Sequence, residues 1–464
     1  AKAENRFNDV RQLANSFVFE INDEIEKSPI KARSLLVERA VQYLDRLASE
    51  SDGDDSLTTE LAAAYEKIGD VQTEIFRPNL GNAGAALGSQ TKALGLRTDL
   101  LRTRPDDVQR SLDVAVSEIK VGDIYTLTGD IRSAADSYRR AVEITERTAA
   151  ANIADASVQK QLCSSYLKLG QIILRTGSLS ESLQNYQTAF EINRRLLIAD
   201  PGNVNYLRQQ IIAHQNIGYI RMLIGDADGA NKDFEEGLRT SLDILAVDTE
   251  NIRSRHIVSD SYMWVGIGYR ESGKLSESLV DIRRSVETQK AFLDADPENF
   301  GEENAMADCW IELALTTAQI PNYPESIKAF EAAIAGYSAV VAKDKQDLSA
   351  LVQIQLSRRA MADTLLKMND ARSALKNYQE SLAVMKDLTI RDPNNVEWEY
   401  ELAECYLGVG KALRALKGDS AVNSLQQALP LFAALISRSP ENVKFKRGND
   451  ETLANLAVPS KHRS

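Results

Sequence analysis

Histidine and cysteine are scarce, with three of each in 464 residues. His256 and His462 have no Cys or second His at ligand spacing, so no metal site is expected and no cofactor is implied. Proline is also sparse, at 11, and aromatics make up only 6%, a composition that leaves room for much helix. There is no basic surplus: 55 Lys plus Arg against 67 Asp plus Glu give a net charge of −12, which removes the usual drive toward nucleic acid. The longest apolar run, Ala428 to Ile436, is broken by Pro430 and falls far short of the roughly 20 residues a bilayer span requires. Direct membrane insertion is therefore not expected. Phosphate-binding loops of the G-x-x-x-x-G-K-[ST] type and the H-R-D and D-F-G sequences are missing, and Gly266-Ile267-Gly268 has no preceding strand to make a dinucleotide fingerprint. No catalytic residue is assigned, and the chain reads as non-enzymatic. It opens at Ala1 in charged sequence, without an initiator Met or a signal-like apolar core, which suggests a processed or excised piece of a longer polypeptide.

What is present is a repeat of rigid period. Small residues recur every 48 positions at Ala86, Ala134, Ser182, Ala230, Ser278, Ser326 and Ala374, then at Ala421 after a one-residue deletion. Four positions after each stands Gln90, Tyr138, Tyr186, Phe234, Ile282, Phe330, Tyr378 or Leu425, and three further on another small residue. That i, i+4, i+7 stripe is one face of a helix. A second series at the same spacing, Gly122, Gly170, Gly218, Gly266, Ala314 and Ala362, extended by Gly69 and Gly410, marks a first helix in each unit. Gly129, Gly177, Gly225 and Gly273, with Asn369 once, stand between the two helices where a left-handed residue can end the first.

This spacing resembles the tetratricopeptide repeat, W-x2-L-G-x2-Y followed by A-x3-F, with Tyr262 to Tyr269 followed by Ser278 and Ile282 as the best copy. The family repeat has 34 residues and this one 48; sharing the excess of 14 lengthens each helix by seven residues, about two turns, and keeps its apolar face in register. The expected fold is all-α: a right-handed superhelical solenoid of about eight long tetratricopeptide-like hairpins. N-terminal helices should occupy residues 1–55, followed by repeats at 56–105, 106–153, 154–201, 202–249, 250–297, 298–345, 346–393 and 394–440, and a capping helix and tail at 441–464. Five extra residues, Phe76 to Leu80, should form a loop in the first repeat. Cys163, Cys309 and Cys405 fall on first helices of different repeats, too far apart to bridge, and are expected to be unpaired and buried. His214, in the aromatic slot of its repeat, reads as structural.

In tetratricopeptide arrays the first helices line the concave side, so the resemblance implies a groove for a protein or peptide segment. Gln215, Tyr219, Met222, Met263, Ile267, Ile311 and Leu315 are the residues assigned to it, with burial of that stripe as core as the rival reading. A second resemblance is carried by Arg6 to Arg11, Leu13 to Phe17 and Leu61 to Gln72. These segments resemble the tail of bacterial membrane-anchored serine/threonine protein kinases that carry such arrays. That resemblance implies a sensor or interaction region outside the cytoplasm; a free-standing cytoplasmic scaffold is the alternative. The heptad-like seam of Phe7, Val10, Ala14, Phe17 and Ile21 could pair residues 5–27 with a second copy in a homodimer, plain intrachain packing being the alternative.

Overall fold

The computed structural model describes residues 30–50, 54–73, 83–247, 252–295, 300–343, 348–391, 393, 395–418 and 420–457. The N-terminal seam at 5–27 and the loop at 76–80 lie outside them. Among the described residues there are eighteen helices and no strand. Helix α1 (Ile30–Glu50) precedes the hairpin α2 (Asp55–Thr73) and α3 (Ala83–Thr103). Then follow α4 (Val108–Thr128) with α5 (Ile131–Ala151), α6 (Ala156–Thr176) with α7 (Leu179–Ala199), and α8 (Val204–Ile224) with α9 (Ala227–Val247). The series continues with α10 (Ile252–Glu271) and α11 (Leu275–Ala295), α12 (Phe300–Gln319) and α13 (Tyr323–Lys343), and α14 (Leu348–Lys367) and α15 (Ala371–Arg391). It ends in α16 (Val396–Ala415) with α17 (Ala421–Arg438) and the unpaired α18 (Val443–Ala457). The chain divides into two compact units, Ala1–Ile172 and Ile173–Ser464.

The turn inside each hairpin follows from backbone sterics. Gly129, Gly177, Gly225 and Gly273 hold φ of 82, 89, 90 and 79°, and Asn369 holds 63°, the left-handed region that a glycine, or an Asn, enters at least cost. At Gly225 the N–H reaches back to the Met222 carbonyl, while the Asp226 N–H reaches the Arg221 carbonyl, closing the orphan acceptors of α8. Asp107 and Asn203 cap the next first helices by accepting backbone N–H bonds.

The two 48-residue series meet as a socket and its plug. A Cβ built on Gly122 would lie 2.6 Å from the Tyr138 ring, one on Gly218 2.7 Å from Phe234, and one on Gly266 2.6 Å from Ile282. Ser278 and Ser326 use their hydroxyls on the carbonyls of Gly266 and Ala314, at 2.7 and 2.8 Å, so a buried small polar residue is satisfied there. In the first hairpin the plug is Gln90, 21 positions after Gly69 instead of 16, and it still lands on Gly69. The five extra residues therefore leave the pairing intact. Gly218→Leu should overpack this contact and cost about 1–3 kcal/mol, read as a lower urea midpoint at unchanged helicity; an unaltered midpoint would contradict the socket.

Candidate partner-binding face

The seven residues assigned to the groove do not share one environment. Met222 and Ile267 are 8% and 7% exposed and pack with Ala230, Phe234 and Val265. Gln215 is also buried and donates to Asp260 at 2.8 Å. Tyr219, Met263, Ile311 and Leu315 are half-buried at the edges of successive core clusters.

The position just after the socket explains where this apolar stripe begins and ends. Where the plug is tyrosine its hydroxyl needs an acceptor, and the first helix supplies an aspartate: Tyr138 donates to Asp123 and Tyr378 to Asp363, both at 2.6 Å. The Gln90 amide likewise reaches Asp70 at 2.9 Å. Where the plug is Phe234, Ile282 or Phe330, nothing polar needs satisfying, and the same position holds Tyr219, Ile267 or Leu315. The apolar stretch of the inner face is thus tied to the choice of plug.

In the second unit the first helices form an inner layer, α8, α10, α12, α14, α16 and α18, each touching the next. The layer returns on itself. Helix α18 touches α8, with Lys444 Nζ 5.7 Å from the Tyr219 ring centre and Val443 beside Gly225. Six helices about 8–10 Å apart enclose a circle of about that radius, and a helix with its side chains takes up about 5–6 Å of it. Only a few ångströms of lumen remain, enough for an extended chain and too little for a further helix.

The walls of this lumen are strongly charged. Arg359 on α14 is held by Glu401 at 2.6 Å, Asp363 at 3.3 Å and Glu404 at 3.8 Å. Arg270 pairs with Glu312, and Lys411 with Glu451. Burial pushes Glu404 up to about 7, against the pull of Arg359 and with help from Asp363 and Glu401. Asp308 is pushed up to about 6 by burial, opposed by the Tyr337 hydroxyl and aided by Glu312 and Asp260. Burial likewise raises the carboxyl of Asp260, which the Gln215 amide offsets only in part. The 48-residue step that relates Asp260 to Asp308, doubled to reach Glu404, puts these acids at one register of three inner helices. Sequence reasoning passed over this ladder because it sought apolar contact; the spacing itself was there to be read.

His214 sits against the Phe190 ring edge-on at 4.9 Å and meets Asp233 at 3.1 Å, the structural place expected of it. Cys163, Cys309 and Cys405 are free and buried, and desolvation pushes each thiol up to about 12, far from a reactive thiolate. Among the described residues no group of His, Cys, Asp and Glu is arranged to hold a metal ion, and no helix is long and apolar enough to cross a membrane.

No protein-family model matches the chain, and no curated protein matches it by sequence. Solved structures do. A Rap protein complexed with competence and sporulation factor aligns with a TM-score of 0.51 at 10% identity, over 93% of this chain and 99% of that one. A Rap conjugation gene regulator in complex with a Phr peptide aligns with a TM-score of 0.49 at 13% identity, over 92% and 96%. A tetratricopeptide repeat protein from Parabacteroides merdae aligns with a TM-score of 0.39 at 16% identity, over 73% and 98%. At such identities the likeness is one of fold: the chain is an all-α, tetratricopeptide-like solenoid of long helix hairpins, with a preceding helix and an unpaired helix at its end.

Proposed function

We propose that the chain is a non-catalytic interaction array whose second unit takes an extended protein or peptide segment along its inner face. The observation that carries this reading is the return of α18 onto α8, which turns an open groove into a narrow lumen with half-buried side chains on its wall. A Rap protein of the same fold is found complexed with competence and sporulation factor, which is consistent with a ligand held by such an array. Pools of random dodecapeptides passed over the immobilised chain test the reading. Peptides should be retained by the wild type and lost with Met263→Glu, which puts a charge on the half-buried part of the wall, while far-UV circular dichroism stays unchanged. Retention indifferent to that substitution would place binding elsewhere and overturn the proposal.

We further read the array as the extracytoplasmic sensor region of a membrane-anchored serine/threonine kinase. The support is the resemblance at Leu61 to Gln72, which forms most of α2. Sequencing the gene upstream of Ala1 decides it. A kinase domain and membrane span would be expected, whereas a nearby start codon would leave a free cytoplasmic scaffold.

A further inference from the structure

The lumen holds two charges that the protein itself does not match. Glu397, at the start of α16, is reached by solvent, yet the surrounding protein desolvates it enough to raise its carboxyl. Lys444, at the start of α18, is half-buried, and burial lowers its ammonium. The two are within electrostatic reach of each other and both bear on Tyr219, but they form no ion pair. Their charged neighbours are already occupied: Glu401 by Arg359, Glu271 by Arg270 and Arg175 by contacts of its own. Arg447, the remaining cation near Lys444, is exposed to solvent. Lys444 has only the face of the Tyr219 ring, and the Tyr219 hydroxyl has no hydrogen-bond partner among the described residues.

A buried charge without a counter-charge is costly, and a ligand that supplies the counter-charge recovers that cost on binding. Two such charges of opposite sign on one stretch of wall call for a ligand that carries both signs. We propose that the lumen binds an extended peptide bearing adjacent basic and acidic side chains, its cation on Glu397, its carboxylate on Lys444, and the free Tyr219 hydroxyl bonded to the peptide between them. Alternate residues of an extended chain point to opposite sides, so neighbouring Lys and Glu can reach the facing helices α16 and α18 without a turn. The inference rests on the inner face being the peptide site.

The test uses the full chain and four pools of random decapeptides that differ only at the two central positions: Lys-Glu, Lys-Lys, Glu-Glu and Leu-Leu. The Lys-Glu pool should be retained at least about tenfold better than either like-charged pool, the scale expected for an enclosed charge pair. Glu397→Gln should abolish the advantage of Lys-Glu over Glu-Glu while keeping that over Lys-Lys, and Lys444→Gln should do the reverse. This crossed pattern cannot come from loss of fold, which would weaken every pool alike. If Leu-Leu is retained as well as Lys-Glu and Met263→Glu removes both, the peptide site stands and the charge pairing is wrong. If no pool depends on Met263, the peptide site fails and the inference falls with it.

Discussion

Replacing Arg359 with methionine should destabilise the second unit by about 3–5 kcal/mol, the scale for removing one partner of a buried ion pair. Arg359 is 17% exposed and serves three acids at once, Glu401, Asp363 and Glu404. Methionine restores most of its packing volume but none of its charge, so the loss reports electrostatics and not a cavity. Equilibrium urea unfolding followed at 222 nm measures it, and a loss below about 1 kcal/mol, the scale of a surface pair, would show that water reaches these carboxylates freely. The loss should shrink when the assay moves from pH 8 to pH 5, because Glu404 can then take a proton in place of its lost cation.

The second large effect is on pH itself. Glu404 and Asp308 keep their protons to about 7 and about 6 in the folded state, whereas an unfolded chain releases them near 4. The folded protein therefore binds more protons across this window, and stability falls as pH rises. Each group contributes stability that is complete below the ordinary carboxylate range and is gone above its folded value. A shift of this size is worth about 3 kcal/mol per group at most. Urea midpoints should rise steadily from pH 8 to pH 5, and Glu404→Gln with Asp308→Asn should flatten that slope. A profile that climbs toward alkaline pH would mean that both carboxyls are ionised and paired in the folded state.

How far the sequence could be read is clearest at the hairpins. The socket and plug positions are separated by a fixed 16 residues within one hairpin, so Gly218 with Phe234 and Gly266 with Ile282 were legible as a pattern and meet in space as the pattern requires. The turn glycines were legible because only a left-handed residue ends a helix this way. Lys417, one period after Asn369, was not: it takes φ 57° without being Gly or Asn, because the hairpin around it is already fixed by α16 and α17. The groove was the least legible. Met222 and Ile267 have the spacing of a binding stripe and the burial of a core, and periodicity within one helix cannot distinguish the two.

Sequence alone settled what is local: helix length, the turn inside each hairpin, the residue that fills each socket, and the Asp that a buried tyrosine hydroxyl demands. Each of these depends on residues fewer than about 25 positions apart, where covalent connection leaves few alternatives. Whether the inner layer stays open or returns on itself was decided only in three dimensions. A small rotation between neighbouring hairpins is invisible in any one of them, yet summed over five steps it brings Lys444 to Tyr219, 225 residues earlier in the chain. The same summation left Glu397 and Lys444 facing one lumen without a partner, because no local rule couples residues that only the closed ring brings together.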